Sequence, residues 1–219
     1  MFNRAASVAA VAMLLSGCVT VDNKPVTDSA AKGLESKTLT STAYVTPDFS
    51  AMTAGKASFG LFGAMAMIQA GNDIVSQNQI ADPAIKINND LAAMLVDSHH
   101  MHNVESHGTP TKSDKIPDLI TNFPHADYLL DVKTLNWNFA YFPTNWSHYR
   151  VFYAARLRLI DEAHGTVVAE TMCKAQPSSD DNPPTKDELL SNHAALLKQL
   201  LEKAANDCTK VLASQVLKV

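Results

Sequence analysis

Apolar and polar positions along the chain change period several times, and the changes mark out the elements. Residues 37–45 (KTLTSTAYV) are rich in β-formers and predict a first strand, which Pro47 ends. Residues 57–70 are apolar almost all round and carry Gly60 and Gly63. A helix apolar on every side is normally buried. Its glycines allow close backbone approach, which also suits self-association or membrane contact, and the run is too short to cross a bilayer. Asp82-Pro83 predicts a helix start, with Asp82 as cap and Pro83 in the first turn. Ile87, Leu91, Met94 and Leu95 then recur at helical spacing to about Val96. Residues 99–113 read as a short strand and a polar loop.

From residue 127 the period becomes two. Leu130 and Val132 fall on one face, but Leu135, Trp137, Phe139 and Tyr141 fall on the other, so a bulge or kink is predicted near Thr134. Tyr149, Val151, Tyr153, Ala155, Leu157 and Leu159 alternate cleanly inward, leaving Arg150, Arg156 and Arg158 as a solvated basic row that an anionic partner could meet. A turn at 161–165, with Gly165 supplying positive φ, leads to a return strand at 166–175. Residues 127–175 therefore read as a three-stranded antiparallel meander. Thr185 and Glu188 are spaced as a capping box after two prolines. Leu189, His193, Leu197, Leu200, Ala204, Cys208 and Val211 then form one helical stripe, placed to lie across the sheet. The implied fold class is α+β: a two-layer α/β sandwich, its antiparallel meander covered by a long C-terminal helix. Residues 37–219 read as a single domain. Residues 18–36, without an aromatic side chain, read as a flexible tether ahead of it.

Composition narrows the function. With 46% hydrophobic and 18% charged residues, the chain can build a core and is not of disordered type. A net charge of −4 without a basic block argues against nucleic-acid binding. Three cysteines are too few for a disulfide-rich scaffold or a four-thiolate zinc site. Ala54-Gly55-Lys56-Ala57 is not a phosphate loop, because Ser50 and Ala57 occupy positions that need Gly and Ser or Thr. Neither a G-x-S-x-G elbow nor an H-E-x-x-H motif is present. Asp161-Glu162 and Asp180-Asp181 are neighbours in turns, where carboxylates usually just solvate the chain. No motif marks an enzyme or calls for a cofactor.

Two clusters are candidate binding sites. His99, His100, His102 and His107 lie close in sequence to Asp97 and Glu105. His100 and His102 would share a face on a strand, and His99 and His102 on a helix, and either pair could begin a Zn²⁺ or Cu²⁺ site; the alternative is a polar helix end with solvated imidazoles. Eight of the chain's fifteen aromatic residues fall within 137–153, and the core and cross-strand pairs of one hairpin account for most of them, with a recognition surface as the alternative. Trp146 sits where the hairpin turn is expected. Trp137, Tyr141, Trp146 and Tyr149 are therefore the candidate partner-binding residues, for a glycan, a peptide or a protein.

The N-terminus carries an address. Arg4 precedes an apolar run at 5–15, and Leu15-Ser16-Gly17-Cys18 closes it. This resembles the bacterial lipobox, in which the cysteine is acylated and the peptide ahead of it removed, making 1–17 a lipoprotein signal peptide and Cys18 the lipidation site. A plain cleaved signal peptide or an uncleaved anchor are the alternatives. Val19 and Thr20, in place of an Asp after the cysteine, favour the outer membrane of a Gram-negative cell within that resemblance. Two or more acyl chains hold a protein on a membrane. The remaining cysteines, in an oxidising periplasm, are expected to pair. Cys173 lies on the face of Val167, Ala169 and Thr171, and Cys208 on the stripe of the final helix, so both point to one helix–sheet interface.

Those residues, with the glycines at 60 and 63, Asp82-Pro83-Ala84, and the stretch from Asp127 to Trp137, resemble a group of Gram-negative lipoproteins without an established activity. In layout the chain is also similar to small periplasmic accessory lipoproteins. The resemblance implies a lipid-anchored protein on the periplasmic face of the outer membrane. It would be a non-catalytic adaptor or accessory factor in envelope assembly or transport, with a protein or polymer partner. A metal-binding protein or metal-dependent enzyme using the histidines at 99–107 is the alternative.

Overall fold

The meander organises the molecule. A computed structural model describes residues 21–219 apart from residue 124; the signal peptide expected at 1–17 and Cys18 lie outside the described residues. Strands β4 (Tyr128–Phe142), β5 (Asn145–Asp161) and β6 (Thr166–Ala175) pair antiparallel in chain order. The bulge that the pattern demands is present. Thr134 faces Ala155 and Asn136 faces Ala154, leaving Leu135 as an extra residue. The shift brings Leu130 and Val132 onto the same core face as Trp137 and Phe139. Only Pro143 and Thr144 separate β4 from β5, a tighter turn than expected. Trp146 consequently sits within β5, in a three-residue stretch without partners on β4.

Three short strands extend the sheet and make it mixed. β1 (Thr38–Ser41) runs parallel to the first part of β4, and β2 (Ser50–Met52) runs parallel to its last part. β3 (His102–Asn103) adds parallel to β1, giving the order β3-β1-β4-β5-β6 with β2 beside β4. Parallel partners need long crossovers. Helices α3 (Gly60–Asn78) and α4 (Pro83–His99) fill the connections.

One face of this sheet carries the main core. Ile87, Leu91 and Leu95 of α4, and Leu189, Leu197, Leu201, Ala204 and Cys208 of α6 (Lys186–Val211), pack on Leu130, Val132, Tyr153, Leu157 and Leu159. Both expected helix starts are capped. The Asp82 carboxylate accepts from the Ala84 N–H at 2.9 Å, and Thr185 and Glu188 exchange side-chain and backbone bonds. The expected stripe of α6 is displaced, because backbone dihedrals leave the helical region at Ser191–Ala194. His193 and Val211 are exposed; Leu201, Ala205 and Thr209 are buried in the continuing stripe. Cys173 and Cys208 are joined across the helix–sheet interface, Cα atoms 5.6 Å apart. By the loop-entropy relation, closing 35 residues stabilises the fold by about 4 kcal/mol.

Three expectations are corrected. The arginine row is solvated only at Arg150. Arg156 and Arg158 are buried beneath residues 111–123, where α5 (Ile116–Asn122) sets Leu119 and Phe123 on Leu129 and Ile160. The apolar helix is not buried, since among its N-terminal residues only Gly63 and Met67 are covered. It packs through glycines: a Cβ at Gly71 would stand 1.9 Å from the Phe49 carbonyl oxygen, and one at Gly63 would stand 1.9 Å from that of Lys56. The described part of the tether is also packed. Lys24 exchanges backbone hydrogen bonds with Glu170 at 2.7 and 2.9 Å, helix α1 (Asp28–Lys32) follows, and Val26 and Leu34 join the core.

Candidate functional site

Register separates the four candidate aromatics. Trp137 pairs with Tyr153 on the core face, and its indole N–H donates to the carbonyls of Pro47 (3.2 Å) and Asp48 (3.0 Å). Phe49 stands edge-on to Trp137 and Phe139, and Phe139 edge-on to Tyr149. Trp137 and Tyr149 are thus core residues, unable to meet a partner. Tyr141 is half-buried. Trp146 alone of the four stands clear, 68% exposed, its N–H donating to the Pro143 carbonyl at 3.0 Å.

Trp146 has neighbours that the sequence did not group with it. β2 runs with β4 to the register Met52–Ala140, so α2 (Ala54–Ala57) and the start of α3 lie at the hairpin end of the sheet. His148, two residues from Trp146, forms a bridge with Thr185, the cap of α6. Lys186 follows, and its charge acts on Lys56 of α2. Burial, then that like charge, pushes the Lys56 ammonium down; it donates to the Ala66 carbonyl at 3.1 Å. Phe59, Leu61, Phe62 and Met65 are 65–82% exposed at this same end. Four exposed α2–α3 side chains and an exposed indole thus share the hairpin end of the sheet and together crown it. The apolar run at 57–70 was the signal for this crown, but not for its exposure or for its neighbour in the hairpin.

The histidines do not converge. His100 is the left-handed residue that ends α4, His102 lies exposed on β3, and among the described residues no group of three or more His, Cys, Asp or Glu side chains is placed to hold a metal ion.

The polar chemistry lies instead in two buried clusters. Asp131, fully buried on β4, accepts from Thr42 (3.2 Å), Tyr44, Arg156 (3.3 Å) and Arg158 (2.7 Å). Asp114 closes the cluster, bound by Lys133 at 2.9 Å and Arg156 at 3.2 Å. Burial raises the Asp114 carboxyl's pKa, but the Lys133 hydrogen bond and the charges of Lys133, Arg156 and Arg158 outweigh it, so the net shift is down. Burial, then Asp131, pushes the Tyr44 phenol up. Burial lowers the Arg158 pKa, but the charge and hydrogen bond of Asp131, with Tyr44 and Asp114, outweigh it, so the net shift is up. In the second cluster Asp82 Oδ1 accepts from the Ala84 N–H and from the Thr134 hydroxyl, which also meets the Tyr153 phenol at 2.9 Å. Burial pushes the Asp82 carboxyl up. A cavity of about 320 Å³ touches both clusters through Tyr44, Asp82, Lys133 and Thr134. Each cluster has a structural task that accounts for it: one neutralises the buried arginines, the other caps α4.

No protein-family model matches the chain, and no curated protein matches it. Solved structures similar to it include the PelC dodecamer from Paraburkholderia phytofirmans, with 13% identity over 84% of this chain and 93% of that one and a TM-score of 0.34. Protein XCC0632 from Xanthomonas campestris shows 13% identity over 88% and 91%, with a TM-score of 0.38. Lipoprotein GNA1162 from Neisseria meningitidis shows 12% identity over 77% and 98%, with a TM-score of 0.28. Similarity at this level carries no argument about function.

Proposed function

We propose that this chain is a lipid-anchored, non-catalytic accessory protein of the bacterial envelope. Acyl groups on Cys18 hold it at the periplasmic face of the outer membrane, where it serves assembly or transport alongside another envelope protein or polymer. The observation that carries the reading is the Cys173–Cys208 bridge at the helix–sheet interface. Such a bridge persists in an oxidising compartment, the one to which Leu15-Ser16-Gly17-Cys18 would send the chain. The non-catalytic part is supported by the two buried clusters, whose carboxylates Asp131 and Asp82 are engaged in holding the fold. No helix among the described residues is long and apolar enough to cross a membrane.

The test is fractionation of a Gram-negative host producing the full chain or its C18A variant. The parent should sediment with the outer membrane, and C18A should enter the soluble periplasm or remain an unprocessed precursor. Identical distribution of both proteins would overturn the anchoring.

A further inference from the structure

We infer that the apolar crown formed by Phe59, Leu61, Phe62, Met65 and Trp146 docks into the phospholipid surface to which the chain is tethered. The inference rests on the proposed acylation of Cys18.

Three observations select a bilayer as the occupant. The first is the direction of the chain. Lys24 bridges Glu170 antiparallel, and Asn23 accepts from the Thr171 hydroxyl, so going back toward residue 21 the chain climbs β6 toward the hairpin end. That is the end bearing the crown.

The second is reach. Six residue-to-residue steps lead from Lys24 back to Cys18 and span at most roughly 20 Å. Glu170 is level with Arg158, and Arg158 with Asp131. From Asp131 to Phe142 the strand rises eleven residues, roughly 35 Å. A thiol at Cys18 therefore stops about 15 Å short of the tip. With the strand axis tilted about 50–70° from the bilayer normal, that 15 Å becomes an interfacial depth of about 5–10 Å. With the Cys18 sulfur bonded to diacylglycerol at the glycerol level, a crown at that depth lies at the acyl boundary.

The third is composition. Phenylalanines, a leucine, a methionine and a tryptophan at a helix end and a hairpin tip match the side chains that settle at a membrane interface. The charges alongside, Lys56 and Lys186 against Asp187 and Glu188, nearly balance, so docking depends on apolar burial and not on anionic lipid.

The test uses the full acylated chain in vesicles of zwitterionic phospholipid, some with acyl chains brominated near the carbonyl end. The two tryptophans separate cleanly, because Trp137 is enclosed in the core and Trp146 is exposed. Bromine should quench the Trp146 share of the emission, and W146F should remove the quenchable component while leaving Trp137's. The F62S/M65S variant should stay membrane-bound through its acyl chains but lose the quench. Acylated, vesicle-bound protein whose emission ignores the bromine would overturn docking and leave the anchor standing. So would a crown shielded by crown-to-crown cross-links between two copies. Mass analysis showing Cys18 unmodified would overturn the anchor, and the inference with it.

Discussion

Replacing Asp131 with Asn tests the buried ion cluster most sharply. Asp131 has no exposed surface, and its Oδ2 faces Arg156 Nη2 at 3.3 Å and Arg158 Nε at 2.7 Å. Asn preserves the shape and keeps one carbonyl oxygen for Thr42 and Tyr44. It removes the charge and can turn an amide donor toward two guanidiniums whose side chains are only 6% and 8% exposed. Breaking a buried pair from one side costs about 3–5 kcal/mol, because the partner's desolvation is no longer offset. In a chain of this length that lowers Tm by roughly 10 °C. Thermal and urea unfolding of the disulfide-intact protein read the effect directly. High salt should restore little, since buried charges are poorly screened. The triple variant D131L/R156M/R158M should recover most of the loss. For comparison, Arg150→Ala removes a pair with Asp180 in which both side chains are substantially solvated, and should cost under about 1 kcal/mol. A D131N protein within about 1 kcal/mol of the parent would refute the view that Asp131 neutralises the covered face.

Three other outcomes follow from the geometry. Replacing Cys173 and Cys208 together by Ser, or reducing the parent, should lower stability by about 3–4 kcal/mol in urea unfolding, with the two preparations coinciding; unchanged midpoints would show the bridge is not formed. Gly71→Ala should destabilise by roughly 1–3 kcal/mol, because its Cβ meets the Phe49 carbonyl oxygen, whereas Gly55→Ala, with nothing within 4 Å, should stabilise by about 0.5–1 kcal/mol. D82N should retain the cap. The raised Asp82 pKa makes that carboxyl's contribution greatest below pH 3.8 and lost as pH rises through the folded-state pKa, so the stability difference should move in the variant's favour over that rise; a pH-independent difference would contradict the assignment.

Elements whose cause is local were legible in the sequence. The bulge after Thr134 follows from a phase change in alternation, and the caps at Asp82 and Thr185 follow from side-chain hydrogen-bonding chemistry. Features set by distant contacts were not. Nothing periodic in residues 105–126 says that they cover β5, so the arginine row read as solvated. The cross-strand pairs Asp131–Arg158 and Lys133–Arg156 were nonetheless latent in the hairpin register. The break at Ser191–Ala194 contains neither Gly nor Pro, so the stripe of α6 looked continuous. An all-apolar run such as 57–70 states that its surface avoids water and not what excludes the water. Its glycines proved to be contacts to Phe49 and Lys56, and its large side chains were left outside. For the candidate site the aromatic block pointed to the right hairpin, but alternation alone could not assign Trp137 and Tyr149 to the core and Trp146 to the outside.

The intact mass of the full chain purified from the membranes of a Gram-negative host, taken without reductant, tests the central claim most directly. The account predicts a protein beginning at residue 18, heavier than its polypeptide by a diacylglyceryl group and an N-acyl chain, and lighter by the two hydrogens lost between Cys173 and Cys208. A product that retains Met1, carries no acyl mass and has three free thiols would contradict it.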